Sequence, residues 1–409
     1  MIHYFTTSGI GNAWVANELS VVNDSDIPFE LHAMRKPETT YHRAIWAERL
    51  NEQTKEIYPL PLLGIIISII SAPVLFKWNF FSGLLNAVFG KRENFKARIS
   101  CFAHFFVACH WARIHRYKAI SHIHSQWAHS CCSIAMYAAW LLNKSFSFTG
   151  HGTDLWRDRV ALEDKIRRAD FIACISNFHR DLYLKHGARP EQLHIVYCGI
   201  DVERFSPSSE DRLPNDGIIH IRSSGRLVEK KGFTYLIEAC NILKNRGINF
   251  ECIITGSGPL EQELRNKINL WGLFDKVTLT GDALKQEDIP SFFQSGTLYC
   301  LPCVWASDND ADGLPQMLME AMASGLPSVS THLVGIPDLV INNKTGLLVA
   351  PNEPEMLADA IYRLSADKPL AERLSIEGRN HICTHFDLNK SLRPLIDFYH
   401  QKLTSIKLS

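Results

Sequence analysis

The chain has 409 residues, with 43 lysines and arginines against 43 aspartates and glutamates, and 46% of its residues are hydrophobic. That length exceeds one typical domain and suits two, and the charge balance excludes the basic excess on which nucleic-acid binding depends. The eleven cysteines are odd in number and lack the spacing of a small disulfide-stapled domain, which points to a reducing, cytoplasmic compartment.

In chain order, Ile2 to Thr6 reads as a strand, and Met1-Ile2-His3-Tyr4-Phe5 offers neither the basic start nor the cleavage site of a signal peptide. Gly9-Ile10-Gly11-Asn12 is a tight loop, with Asn12 the expected N-cap of a helix carrying Val15, Leu19 and Val22 on one face. Small residues in that loop let backbone N–H groups approach a phosphate or sugar. Phe29 to Met34 is the next strand. From Ile57 to Phe76 there is no charge, and Pro61 and Pro73 leave eleven uninterrupted residues. That is short for a bilayer span, and Lys77, Trp78, Lys91 and Arg92 follow, so the segment is expected to lie on a membrane surface; a core helix and a true span are the other readings.

Further strands of this half are His122 to Gln126, Phe146 to Thr149, Phe171 to Ser176 and Ile195 to Tyr197. A polar, proline-containing run up to Gly217 reads as a linker, which sets the domains at 1–205 and 206–384, with a C-terminal helix at about 385–409 packing back on the first. The second half restarts at Ile218-Ile219-His220-Ile221. A helix after Gly232 places Phe233, Leu236, Ile237, Cys240 and Leu243 on one face. Strands follow at Phe250 to Thr255, Val277 to Thr280, Leu298 to Leu301, Ser328 to Ser330 and Gly346 to Val349, and Asn352 with Glu355 suggests a capping box. Strands alternating with helices imply an α/β fold with mostly parallel sheets and ligands at the strands' carboxyl ends.

The second half holds the strongest chemical pattern. In Asp312-Gly313-Leu314-Pro315-Gln316, running on to Glu320 and Gly325-Leu326-Pro327, two carboxylates stand eight positions apart. Asp312, Gln316 and Glu320 are expected along one line of a helix opened near Pro315. A helix N-terminus beside two hydrogen-bond acceptors suits a ligand that is half phosphate and half polyol. Upstream, Gly225-Arg226-Leu227-Val228-Glu229-Lys230-Lys231-Gly232 sets Arg226 and Lys231 five apart across a strand-to-helix loop, where both can face one anion. Gly256-Ser257-Gly258-Pro259-Leu260 is a glycine loop after a strand, and Gly281-Asp282 ends another.

Together these segments resemble the retaining glycosyltransferases of family 4, whose signature reads E-G-x-P-x-x-x-x-E-A-M-A-x-G-x-P, with Asp312 here in place of the first glutamate. The order of motifs from Gly9 to Val349 is similar too, including Gly335-Ile336-Pro337-Asp338 and Thr345-Gly346. The resemblance implies a GT-B fold, two Rossmann-like domains facing across a cleft, and a retaining transfer of sugar from a nucleotide-sugar donor. It assigns the leaving diphosphate to Arg226 and Lys231, the donor sugar to Asp312 and the donor ribose to Glu320. Gly9, Gly11, Gly256, Gly258, Asp282, Gly313, Leu314 and Pro315 complete the donor site. His151, in His151-Gly152-Thr153-Asp154, resembles the family's H-x-x-D segment, whose histidine lies by the reacting sugar.

The N-terminal half is similar to exopolysaccharide and colanic-acid-type transferases. That implies a sugar or lipid-linked oligosaccharide acceptor at the inner face of the cytoplasmic membrane. No metal or other cofactor is expected, because fixed cations can offset the diphosphate charge. Asp308-Asn309-Asp310 is then a solvated loop rather than the D-x-D of metal-dependent enzymes. His122-Ile123-His124, near His110, His115 and His129, suggests an amidohydrolase metal site only in isolation, and Cys300-Leu301-Pro302-Cys303 reads as two buried thiols. The alternatives are a GT-B epimerase and a catalytically silent membrane-bound partner in polysaccharide assembly.

Overall fold

A computed structural model describes residues 1–37, 45–207 and 217–404. Most of the expected linker, 208–216, lies outside them. The chain forms two compact units, one of Met1–Gly199 with the segment beginning at Ser391, the other of Ile200–Lys390.

The first unit holds β1 (Ile2–Thr6), β2 (Phe29–Ala33), β3 (Lys55–Glu56), β4 (His122–Gln126), β5 (Ser145–Gly150), β6 (Phe171–Cys174) and β7 (Leu193–Ile195). They pair in the order β3-β2-β1-β4-β5-β6-β7, all parallel. The second holds β8 (Ile219–Ser224), β9 (Phe250–Thr255), β10 (Val277–Leu279), β11 (Leu298–Leu301), β12 (Ser328–Thr331) and β13 (Leu347–Val349), parallel in the order β10-β9-β8-β11-β12-β13. Four expected strands, at Ile2, His122, Phe250 and Leu298, have the expected limits. β7 begins two residues earlier than its apolar run suggested. Lys55–Glu56 carries no apolar alternation, because it is a charged edge strand.

Three local expectations are corrected. The helix expected to open with an Asn352–Glu355 capping box spans Pro354–Ala366, with Glu353 at its N-cap and no side-chain cap; Asn352 is turned out at φ 65°. The apolar segment is not cut to eleven residues. Its helix, Leu62–Phe76, runs through Pro73, which removes one hydrogen bond near the last turn without ending it. Arg92 is no surface anchor, because its buried guanidinium donates to Asp164 at 2.7 Å.

The helix after Gly232 spans Phe233–Asn245 and buries the five residues expected on its core face. In the first unit one face of the sheet is polar as well as buried. His122 shares hydrogen bonds with Ser145 (2.6 Å) and Ser147 (2.5 Å), and His124 with Ser147 (2.7 Å). The H-x-H pair is thereby used inside the sheet. Tyr399, on the helix Arg393–Thr404, closes over this face, its ring 5.8 Å from those of Tyr4 and His124.

Candidate active site

Each sheet reverses its strand order once, between β1 and β4 and between β8 and β11. In open α/β sheets ligands settle outside the carboxyl ends of the strands at such a reversal.

In the second unit, Gly225–Gly232 follows β8 and 302–315 follows β11. Lys231 Nζ, from the first loop, donates to Asp312 Oδ2 on the second. Lys230 Nζ lies 3.0 Å from Asp310 Oδ2 and 3.2 Å from Asp312 Oδ1. Burial alone would raise the Asp312 carboxyl; the Lys231 and Lys230 ammonium groups outweigh it and hold the group at about 2. Arg226 is exposed, and its side chain makes no hydrogen bond among the described residues, yet it lies close enough to Lys231 to oppose its charge. The site therefore presents one uncommitted guanidinium beside two ammonium groups held by carboxylates.

The G-x-G pair has a reason inside the protein. A Cβ on Gly256 would stand 1.9 Å from the Gly225 carbonyl oxygen, and one on Gly258 2.6 Å from that of Leu227. Leu227 N donates to Ser257 O at 2.9 Å, so the loops after β8 and β9 lie backbone to backbone. The lysine stem crosses the same place, 3.2 Å from a Cβ on Gly225.

The acidic pair is arranged differently from the expected line. Pro315 is the N-cap of the helix Gln316–Ala323, and Asp312 lies before it, turned to the lysines. Gln316 and Glu320 are one turn apart, and Gln316 Nε2 donates to Glu320 Oε1 at 3.1 Å. Glu320 is buried, its Oε2 has no hydrogen-bond partner among the described residues, and burial pushes its carboxyl up to about 7. Gly313 is buried and accepts from Gly335 N at 3.1 Å, and Leu314 is half-buried. Asp282 is exposed, and its carbonyl accepts from Thr280 Oγ1 at 3.0 Å.

In the first unit, Gly9 and Gly11 lie in the loop after β1, beneath Pro37; a Cβ on either would meet that ring at 3.3 or 3.0 Å. Asn12 holds the N-cap position of the helix Ala13–Asp24, but makes no side-chain cap. His151 sits between Trp14 and Trp127, with ring centroids 5.6 and 5.0 Å away. Its Nε2 donates to Gln126 Oε1 at 2.7 Å, which leaves Nδ1 with the lone pair. Burial lowers its pKa to about 4, so it is neutral at ordinary pH.

Two residues were given no role of their own in the sequence reading. Asp154, fully buried, accepts from the backbone N–H groups of Ala128 (2.6 Å), His151 (3.1 Å) and Gly152 (2.7 Å). The aspartate of H-x-x-D thus shapes the loop that carries the histidine. Gln126 ends β4 on the face shared with His122 and His124, a period-two line visible in the sequence. It also hydrogen-bonds the buried Glu18, whose carboxyl burial raises to about 7.

Among the described residues, the metal-ligand types that converge are His3, Glu30 and His32. His3 Nδ1 and His32 Nε2 are 2.9 Å apart, and Lys55 and Lys118 hold Glu30 Oε2 at 2.6 and 2.9 Å. The Trp111 indole N–H donates to His32 Nδ1 at 3.2 Å. His32 must then carry its proton on Nε2, with no lone pair for a metal, and the cluster is a hydrogen-bonded ion network.

Two doubly wound parallel sheets, each with its loops gathered at one strand-order reversal, are the fold of the GT-B glycosyltransferases. Solved structures agree. The Anabaena Alr3699/HepE structure in complex with UDP matches with a TM-score of 0.74 at 16% identity, covering 98% of this chain and 99% of that one. Sucrose-phosphate synthase from Thermosynechococcus elongatus matches with a TM-score of 0.69 at 15% identity, covering 99% and 100%.

Two glycosyltransferase family models match parts of the chain: residues 208–381 match the glycosyl transferases group 1, and 85–204 match Glycosyltransferase Family 4. It is similar to the amylovoran biosynthesis glycosyltransferase AmsK of Erwinia amylovora, at 33% identity over 60% of this chain and 61% of that protein. It is also similar to the putative colanic acid biosynthesis glycosyltransferase WcaL of Escherichia coli, at 37% identity over 60% and 62%. The chain thus spans about three fifths of the length of these relatives. A UDP-Gal:alpha-D-GlcNAc-diphosphoundecaprenol alpha-1,3-galactosyltransferase of Escherichia coli is 26% identical over 56% of this chain and 59% of its own length.

Proposed function

We propose that this chain transfers a sugar from a nucleotide-sugar donor to a sugar acceptor, with retention of the anomeric configuration and without a metal. The reading rests chiefly on the charge cluster at the β8–β11 reversal, where Lys231, Lys230 and Arg226 stand beside Asp312. Departure of a nucleoside diphosphate builds negative charge, and fixed cations in a partly buried site stabilise it without reorganising. Arg226 is uncommitted, and a diphosphate could draw Lys231 from its carboxylate. Asp312 would then contact the donor sugar, and the unpaired oxygen of Glu320 would accept from ribose hydroxyls. Asp282, Gly313, Leu314 and Pro315 belong to the loops that would border the donor.

His151, neutral and held through Nε2, would offer the donor sugar a hydrogen bond rather than serve as an obligatory base. The acceptor class proposed is a lipid-linked oligosaccharide of exopolysaccharide synthesis, in line with the names of similar proteins, reached at the membrane surface through the 57–76 segment. The test is turnover of nucleotide sugars with a soluble acceptor. Activity should persist in excess EDTA, and NMR of the product should show the donor's anomer kept. An inverted product, or activity that EDTA abolishes and a divalent ion restores, overturns the mechanism.

A further inference from the structure

The first unit contains a helical layer that is apolar on its outer face as well as its inner one. Leu62–Phe76, Trp78–Phe89 and Phe95–His115 pack on one another. In the first helix the buried positions are Ser68, Ala72 and Phe76, and Ser68 Oγ accepts from Arg113 Nε at 2.8 Å. Its outward line is Leu62, Ile66, Ile70 and Val74. The second helix buries Phe80, Gly83 and Ala87 and exposes Trp78, Phe81, Leu85 and Phe89, with Trp78 at 75% and Phe89 at 77%. The third adds Phe95, Ile99 and Phe102. A surface helix in water presents a polar outer face, and exposed apolar patches larger than a few hundred Å² mark an interaction site.

Charge identifies the occupant. Between 57 and 118 there are eight lysines and arginines and one acidic residue, Glu93; Lys91, Arg92 and Lys118 are paired with Glu163, Asp164 and Glu30, so the remaining basic excess rests on Lys77, Lys96, Arg98, Arg113 and Arg116. Glu93 is exposed but engaged, its carboxylate accepting from the backbone N–H groups of Ala161 (2.8 Å) and Leu162 (2.9 Å). Lys77 and Lys96 are exposed beside the apolar lines. A second copy docked on this face would set basic rim against basic rim. An anionic lipid leaflet supplies both an apolar interior and the opposite charge. No helix among the described residues is long and apolar enough to cross a membrane.

We infer that this three-helix face is inserted into one leaflet of an anionic membrane. The inference deepens the membrane-surface part of the reading above in two ways. The contact extends from 57–76 to Phe102, and it is held mainly by apolar insertion rather than by charge. The bound protein should therefore resist a salt wash and yield to detergent.

The experiment uses the full chain and vesicles of phosphatidylglycerol with phosphatidylethanolamine, followed by flotation. It needs neither donor nor acceptor, so its failure is separable from failure of the transferase reading, which is tested in solution. Wild type should float with the vesicles and stay after high salt. Phe81→Glu with Leu85→Glu, and separately Ile66→Glu with Ile70→Glu, should each weaken partitioning by roughly tenfold or more. Lys77→Glu with Lys96→Glu should weaken binding to these vesicles more than to phosphatidylcholine vesicles. Unchanged thermal melting and nucleoside-diphosphate binding would show that the variants fold. Wild type that does not float, that salt alone releases, or that instead dimerises through a contact dispersed by Phe81→Glu with Leu85→Glu overturns the inference.

Discussion

Lys231 and Asp312 join the loop after β8 to the loop after β11, so a single ion pair ties together the two sides of a strand-order reversal. Its partner charges come from chain segments 81 positions apart. The pair stabilises the fold, its proposed part in donor binding is a second role, and the two separate experimentally.

Asp312→Asn should destabilise the second unit by on the order of 3 kcal/mol, because it leaves the largely buried Lys231 ammonium without its carboxylate and Lys230 with Asp310 alone. Since the folded carboxyl is held at about 2, below its ordinary value near 3.8, its stabilisation is full above the unfolded value and is lost as pH falls through about 2. Thermal melts of wild type and Asp312→Asn between pH 7 and pH 2 check this: the gap between them should close only at the acid end. A constant gap would remove the ionic explanation.

Lys231→Ala should lower turnover more than about tenfold, equivalent to about 1.4 kcal/mol of lost transition-state stabilisation. Donor KM should change less than kcat if the ammonium acts on the departing diphosphate. Steady-state kinetics with a soluble acceptor decide, and an effect confined to KM would assign Lys231 to ground-state binding.

Glu320 gives a pH signature. Its carboxyl titrates near 7 in the empty site. Hydroxyl donors from a ligand favour the ionised form, so binding should release protons and affinity should fall as pH drops below about 7. Calorimetry with a nucleotide sugar, in buffers of different ionisation enthalpy, measures the protons. Glu320→Gln should abolish the release and weaken the donor; unchanged proton release in that variant would place the titration elsewhere.

His151 should show no titration near its ordinary value, since its folded pKa lies at about 4. The stability due to its neutral form is full above about 6.5 and is lost as pH falls toward 4. Gln126→Leu removes the acceptor for Nε2–H and frees the ring. We expect kcat to fall by roughly tenfold with little change in donor KM, as a positioning role requires. NMR of the His151 ring in both proteins reads the tautomer directly.

Gly256→Ala should cost on the order of 3 kcal/mol or more, since the new Cβ would meet the Gly225 carbonyl and φ is 141°. Melting temperature reports it. A near-neutral result would mean the β8 and β9 loops are not packed as described.

The two-sheet architecture was open to sequence reading because parallel strands write themselves as short apolar runs between glycine turns. β9 and β11 are examples, found to the residue. The loops after β8, β9 and β11 were open for the same reason. What stayed hidden depends on three-dimensional proximity. Nothing local says that Lys231 meets Asp312 rather than solvent, or that the glycines of Gly256-Ser257-Gly258 make room for another loop. Asp154 looked like a motif partner, and its carboxylate turns out to gather three backbone N–H groups. The helices at 78–89 and 95–115 were not foreseen, because their outward residues are as apolar as their inward ones and the usual amphipathic signal vanishes.

The helix Arg393–Thr404 lays Tyr399 against Tyr4 of β1, and so joins a strand made before the second unit to a helix made after it. During synthesis the second unit, a continuous stretch, can finish while the first still waits for its cover. Until that helix leaves the ribosome, Tyr4, His122 and His124 face open water. The first unit is therefore the later of the two to mature, and a nascent chain halted before Arg393 would carry a completed second unit beside an unsealed first.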